Sequence, residues 1–465
     1  MKQSVDVTLL PMAGGLRVCV PDQLSEITRF VLEEQEDWFE PERAFLARVL
    51  LPGDGAIDAG ANYGVYALTF ADAVGPQGRV RAFEPAPPVA DCLEISVSAN
   101  DFAGRIDVVR CAVSDRIGEA EFRLGGTGEL GSLHDKEGTS NATVRVALTT
   151  LDESGDLGAA SRLAVLKIDV EGEEEAVLRG ASKLIARDDP LVMFEWNAGP
   201  QTYNVGAVAE AYRQGLSLYR LLVSMGTLIP VPVATPDTID FFTLNLFASS
   251  RSCSGRLAAR GLLVESLPST VSAGSAAAFE ARMEMLPYAL RLLPAWDGDF
   301  ATTRTADGAA SMEAMRLHAE AFDAGRTLEE RVGKLRAAAE IIKGRQWNGT
   351  RLSTAARILA DFGERKAAYQ ALQRLVDEVS RVGGAFAFDE PFLAPGANFD
   401  RIDPENRWAD WLLGGATDCL VKLRNFSSFF GGADDLRLLQ AVQSLGFADA
   451  EIDRRTMLLR RALGL

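Results

Sequence analysis

Three short stretches of this 465-residue chain combine residue types and spacings that chemistry can use. The first is Asp58-Ala59-Gly60-Ala61-Asn62-Tyr63-Gly64. Closely spaced glycines let the backbone approach a ligand, and a helix starting there offers unbonded N–H groups to a carboxylate or phosphate. A dinucleotide fingerprint needs glycines at 60, 62 and 65, whereas the chain has Gly60, Asn62 and Val65, so that reading fails at two of three places. Asparagine tolerates the left-handed backbone better than other non-glycine residues, which suits Asn62 to such a turn. The second stretch is Phe83-Glu84-Pro85. Glu84 falls 24 positions after Gly60, at the tip of the neighbouring strand, where a carboxylate accepts from both hydroxyls of a ribose. The third is Leu166-Lys167-Ile168-Asp169-Val170-Glu171-Gly172-Glu173. Asp169 and Glu171 are two apart and share a face if the chain stays extended to that point, with Lys167 of the same parity. Glu195 ends the next apolar run beside them. Carboxylates grouped in this way serve as a general base, or hold a hard divalent cation that acidifies a bound hydroxyl. Glu173 to Glu175 read more simply, as acids at a helix N-terminus favoured by its dipole.

These groups meet only if particular elements carry them to one edge. From Gly55 to Ser249 strand-length apolar runs alternate with amphipathic stretches, which predicts βαβ units and a mostly parallel sheet. The runs Gly55 to Ala59, Arg79 to Glu84, Ile106 to Ala112, Leu163 to Asp169 and Leu191 to Glu195 read as strands covered on both faces. Tyr219 to Val223 and Phe241 to Phe247 read as two more, with helices over Tyr63 to Val74 and Ala207 to Gln214. In open α/β sheets ligands bind at the carboxyl ends of the strands, which is where all three stretches lie. Between the third and fourth strands, two alternating segments flank a glycine-rich run, Gly125 to Gly131, that reads as a mobile substrate loop.

In order and spacing, Ala56 to Gly64, Phe83-Glu84-Pro85, Thr150-Leu151-Asp152 and Leu166 to Glu173, with Val177-Leu178-Arg179-Gly180-Ala181 behind, resemble the FkbM family of S-adenosylmethionine-dependent methyltransferases. The resemblance is strong from Pro41 to Asn197 and extends weakly to Ser249. It implies a class I Rossmann-like fold, S-adenosylmethionine as cofactor, and O-methylation of a hydroxyl on a sugar, glycolipid or polyketide. Carried onto this chain, it places Asp58, Gly60, Asn62, Gly64 and Glu84 on the cofactor, with Ser114 and Asp115 beside the adenine. Methyl transfer to an alcohol also needs a base. The chain has two histidines, His134 in the glycine-rich excursion and His318 in the C-terminal part, so the base falls to a carboxylate, Asp169 first, then Glu195 and Glu171. The same three acids are the candidate ligands for a divalent cation.

The expected organisation is an N-terminal extension over residues 1–48 packing on the core, a methyltransferase domain over 49–250, a linker over 251–282 and an all-α domain over 283–465. In the last, Leu328, Val332, Leu335 and Ile342 share a helical face, as do Leu352, Leu359 and Phe362, and the pattern resumes at Leu372, Leu375, Val376 and Val379 after Gly363. A tetratricopeptide-like hairpin over Leu352 to Val379 lacks the Trp and Leu-Gly signals of that repeat. The helical part reads as a source of acceptor recognition, oligomer contacts or a protein contact. The formal charge of −17 opposes binding to nucleic acid or anionic membranes. Five scattered cysteines without a CxxC pair fit a reducing cytoplasm, and no apolar run is long enough to span a bilayer. A glycan or other hydroxyl-bearing small molecule is the expected acceptor. The competing reading is a helical interaction module on a catalytically silent methyltransferase-like fold.

Overall fold

Apolar residues at consecutive strand positions need cover on both faces, and the computed structural model supplies it. It describes residues 6–125, 139–158, 162–199, 202–235, 237–296, 305–388 and 390–465. The strands are β1 (Val7–Met12), β2 (Leu16–Pro21), β3 (Gly55–Ala59), β4 (Arg79–Phe83), β5 (Ile106–Val109), β6 (Ala112–Val113), β7 (Gly118–Gly125), β8 (Thr139–Thr149), β9 (Leu163–Ile168), β10 (Leu191–Glu195), β11 (Asn197–Gly199), β12 (Thr202–Tyr203), β13 (Ser217–Leu222), β14 (Thr227–Pro230) and β15 (Asn245–Ser249). Eight of them form one sheet in the order β14-β13-β15-β10-β9-β3-β4-β5. From β10 to β5 neighbouring strands run parallel, while β15 is antiparallel to both β10 and β13.

Alternate strand residues enter two separate cores. Ala56, Val80, Val165 and Met193 join one apolar cluster, and Ile57, Phe83, Leu166 and Phe194 join the other. The sheet is therefore covered on both sides, which is why its strands read as continuous apolar runs. The helices of this part are α1 (Ile27–Gln35), α2 (Pro41–Val49), α3 (Val65–Val74), α4 (Pro87–Ala99), α5 (Leu151–Ser154), α6 (Glu174–Gly180), α7 (Ser182–Asp188), α8 (Val205–Arg213) and α9 (Arg251–Ala259). The hairpin β1-β2 is fastened to α4: Cys19 N–H donates to Ser96 Oγ at 2.8 Å, and Asn100 Oδ1 accepts from Arg17 N–H at 2.9 Å.

Expected and observed strands differ most at two places. The run Ile106 to Ala112 is two strands, because after Val109 the chain turns and Ala112 pairs with Leu148 in a smaller sheet of order β6-β8-β7. Phe241 to Leu244 are not strand. Asp240 accepts from Phe242 N–H, forming a turn, and pairing with β10 and β13 begins at Asn245. The glycine-rich excursion from 126 to 138, including His134, lies outside the described residues.

The chain divides into two compact units, residues 1–221 with 226–265, and 222–225 with 266–465. Of residues 251–282, read as a linker, α9 belongs to the first unit and the start of α10 (Ala276–Glu284) to the second. The second unit continues with α11 (Pro287–Trp296), α12 (Ala306–Ala321), α13 (Leu328–Lys343), α14 (Thr350–Phe362), α15 (Arg365–Val382), α16 (Trp408–Arg424), α17 (Ala433–Leu445) and α18 (Ala450–Ala462). Gly363, at φ 82°, ends α14 and reverses the chain into α15, and Val332, Leu335, Ile342, Leu352, Leu359, Leu372 and Val379 are buried. Tyr288 and Trp411, both fully buried, stack with ring centroids 5.0 Å apart in its core. The whole is a Rossmann-like, mostly parallel sheet followed by a helical C-terminal region.

Candidate functional site

At the tip of β3 the chain turns where three strands converge. Gly60 N–H and Ala61 N–H both donate to Phe83 O at the end of β4, at 3.0 and 2.9 Å, and Asp169 N–H beyond β9 donates to Ala59 O at 3.0 Å. Gly60 has φ 80°, and a Cβ placed on it would lie 1.8 Å from Asp169 O. Only glycine fits this crossing. Asn62 also adopts a left-handed backbone, at φ 50°. Gly64, at φ 96°, leads into α3, and a Cβ there would lie 2.5 Å from Leu93 Cδ1.

Glu84 is pinned beside this turn. Its Oε2 accepts from Asn62 N–H and its Oε1 from Ala86 N–H, both at 2.9 Å. Burial raises its pKa to about 7 against the lowering effect of those two bonds. Each carboxylate oxygen accepts more than one hydrogen bond, so the bonds that orient Glu84 leave acceptor sites for a diol.

Asp58 lies beneath the turn. Its side chain is fully buried with Oδ1 3.1 Å from Lys167 Nζ, which also donates to Gly60 O at 2.9 Å and sits 3.4 Å from Asp169 Oδ2. Burial pushes Asp58 up and Lys167 pulls it down. Burial opposes the charge on Lys167, yet Asp58, Asp169 and Glu40 together hold its pKa above the ordinary lysine value. Asp58 thus supports the Gly60 turn through Lys167.

Ser114 and Asp115 are tied to α6 and its approach. The buried Ser114 hydroxyl donates to Glu173 Oε2 at 2.6 Å, and Asp115 Oδ2 accepts from Arg179 Nη1 at 2.6 Å.

The acids past β9 are arranged differently from the sequence expectation. The strand ends at Ile168, and Glu171 has φ 58°, so the extended backbone that would align it with Asp169 is broken. The cause is Glu174, whose Oε1 accepts from Val170 N–H at 3.0 Å and Gly172 N–H at 3.2 Å and curls the segment into a turn. Glu174, read from sequence as an acid at a helix N-terminus, is 1% exposed, and burial raises its pKa. Among the described residues Asp169, Glu174 and Glu195 form a trio whose ligand atoms lie within 4.8 Å of one another. Three hard oxygen donors fit a divalent cation, with Glu174 in the place expected for Glu171.

One further acid was not legible. Glu40, at the N-terminus of α2, has Oε2 accepting from Trp38 Nε1 at 2.9 Å and Tyr66 Oη at 2.7 Å, and Oε1 accepting from Asn245 Nδ2 at 3.2 Å. Burial raises its pKa, and so does the charge of Asp169. Before a proline at a helix start, an acid reads as a cap, and nothing local ties it to residues 26 and 205 positions away.

A family model described as "Methyltransferase FkbM domain" matches residues 58–217. The chain is 45% identical over 69 residues to 31-O-demethyl-FK506 methyltransferase FkbM of Streptomyces tacrolimicus, covering 15% of this chain and 25% of that protein. It is 30% identical to methyltransferase sdnD of Sordaria araneosa, over 27% of this chain and 60% of that protein. The chain thus spans a quarter and three fifths of the lengths of these curated relatives. A crystal structure of methyltransferase FkbM from Methylobacillus flagellatus aligns with 17% identity and a TM-score of 0.28, over 42% of this chain and 43% of that one.

Proposed function

Residues 58–217 belong to the methyltransferase FkbM family, and from that premise we propose that the chain transfers a methyl group from S-adenosylmethionine to a hydroxyl of a small-molecule acceptor. The observation that carries this reading is the Gly60 turn with Glu84 fixed beside it by two backbone N–H groups. The turn offers a close backbone approach to the donor, and Glu84 offers acceptors to its ribose hydroxyls. The name of one relative, a 31-O-demethyl-FK506 methyltransferase, supports oxygen as the methylated atom. A hydroxyl of a sugar, glycolipid or polysaccharide precursor is the acceptor class we assign.

Methyl transfer requires the acceptor oxygen in line with the sulfonium methyl, and holding that geometry supplies much of the rate. We assign the base to Asp169, whose side chain is 34% exposed at the strand tips, with Glu195 next and Glu171 after it. His318 belongs to the second unit, where its Nε2 is 2.8 Å from Asp361 Oδ2 and the ring is 1% exposed. A divalent cation on Asp169, Glu174 and Glu195 would supply the same acidification of the hydroxyl. Full turnover after chelation assigns the step to the carboxylate, and loss restored by Mg²⁺ assigns it to the cation.

Calorimetry with S-adenosylmethionine tests the reading directly. Binding in the micromolar range, lost in Glu84→Ala, is expected, and wild-type protein that ignores the cofactor would refute it. The silent-fold reading rests on the second unit, which lies outside the matched residues; cofactor-dependent methylation of a hydroxyl by the purified chain excludes it. We assign the second unit to acceptor recognition or self-association, which sedimentation of the full chain separates. We assign the chain to the cytoplasm on its five free thiols. No helix among the described residues is long and apolar enough to cross a membrane.

A further inference from the structure

Three carboxylates act on one buried ammonium in the first unit. Asp58 and Asp169 lie 3.1 and 3.4 Å from Lys167 Nζ, and Glu40 acts on it through space. Tyr66 covers another side, its ring centroid 5.1 Å from the ammonium. One positive charge cannot balance three negative ones, so the cluster is relieved either by protons or by a cationic group from outside. Burial first, and the charge of Asp169 after it, raises the pKa of both Glu40 and Asp58.

Glu40 differs from the other two acids in how it is held. Asp58 is sealed beneath the Gly60 turn and Asp169 projects from a strand tip. Glu40 is gripped by Trp38, by Tyr66 on α3 and by Asn245 on β15, so three separate parts of the fold converge on one carboxylate. Two of those bonds fill Oε2. Oε1 takes only the 3.2 Å bond from Asn245, which leaves it an acceptor site. A rigid carboxylate of this kind suits binding a charge, whereas the more exposed Asp169 suits taking a proton.

The strand order says which charge. With the ribose at Glu84 on the tip of β4, a donor crossing Gly60 on β3 next reaches the tip of β9. Two strand spacings are about 10 Å, a distance comparable to that from the ribose of S-adenosylmethionine to its amino-acid end. We propose that Glu40, outside the matched residues 58–217, binds the α-ammonium group of the methyl donor, leaving Asp169 to the acceptor. This rests on the methyl-transfer reading above.

The test uses the full chain and two probes. S-adenosylhomocysteine keeps the α-ammonium group and has no sulfonium charge; 5′-methylthioadenosine keeps the nucleoside and has no amino-acid part. Calorimetry on Glu40→Gln is expected to show S-adenosylhomocysteine binding weakened tenfold or more and 5′-methylthioadenosine within twofold of wild type. Tyr66→Phe, which removes only the 2.7 Å bond orienting Glu40, should weaken the first probe by a smaller factor and spare the second, and it stands in if Glu40→Gln does not fold. Unchanged S-adenosylhomocysteine affinity overturns the assignment. Equal losses for both probes also overturn it, because they mark Glu40 as part of the fold only. Wild-type protein that binds neither probe overturns the methyl-transfer reading and this assignment with it.

Discussion

Gly60→Ala separates the conformational cost of a glycine turn from the cost of separating two strands. Any L-residue at φ 80° bears a left-handed penalty of roughly 1–2 kcal/mol. Gly215, the left-handed residue that ends α8, at φ 75° with nothing within 4 Å of an added Cβ, measures that penalty alone. At Gly60 the added Cβ would lie 1.8 Å from Asp169 O, and contacts below 3.0 Å do not occur, so the two backbones must part by 1.2 Å. That movement strains the bonds Asp169 N–H to Ala59 O and Gly60 N–H to Phe83 O, each 3.0 Å long and each worth about 1 kcal/mol. Gly60→Ala should therefore be about 2 kcal/mol less stable than Gly215→Ala. At 2–4 °C per kcal/mol for a unit of this size, its melting transition should lie ~4–8 °C lower. Scanning calorimetry measures the difference, and titration with S-adenosylmethionine should show binding lost in Gly60→Ala and kept in Gly215→Ala. Equal melting temperatures for the two variants, or wild-type donor affinity in Gly60→Ala, would refute the tight crossing.

With Glu84 assigned to the donor's ribose, as proposed above, its carboxyl, moved from 4.5 to about 7, makes donor binding pH-dependent. Its ionised form accepts from the ribose, so affinity should rise up to tenfold per pH unit below 7 and level off above it, and Glu84→Gln should abolish the dependence. In the ligand-free protein the sign for stability is opposite: the folded chain keeps a proton that the unfolded chain releases, so stability falls by roughly 3 kcal/mol as pH rises from 4.5 to 7, a slope measurable by urea titration. Lys167→Met leaves Asp58 buried without its ion-pair partner and should cost about 3–5 kcal/mol, while Asp58→Asn combined with Lys167→Met should recover part of it in a double-mutant cycle. Asp169→Asn should lower kcat by ~10²- to 10⁴-fold under saturating donor, as loss of a general base does; an unchanged kcat would move the assignment to Glu195 or Glu171.

The glycine turn and the acid at the next strand tip were readable because both are local. Each needs a residue type at a fixed distance along one strand-to-helix connection, and the sheet then places the two connections side by side. Lys167 was readable as a partner for Asp169 through strand parity, but its pairing with Asp58 came from register, since β3 and β9 are parallel with Asp58 opposite Lys167. Glu171 and Glu174 exchanged places for a reason that parity cannot contain: Glu174 bends back to take two N–H groups from its own turn.

By itself the sequence determined the alternation of strand and helix, the strand tips at which the acids gather and the turn that only glycine fits, since periodicity and backbone sterics act over a few residues. The tertiary structure decided which carboxylates face one another and which are sealed from water. Glu40 reaches Lys167 and Asp169 only because α2, α3 and β15 pack around it, and Ser114 is occupied only because α6 approaches it. Charge interactions depend on distance in space and on burial, and neither is a property of position along the chain.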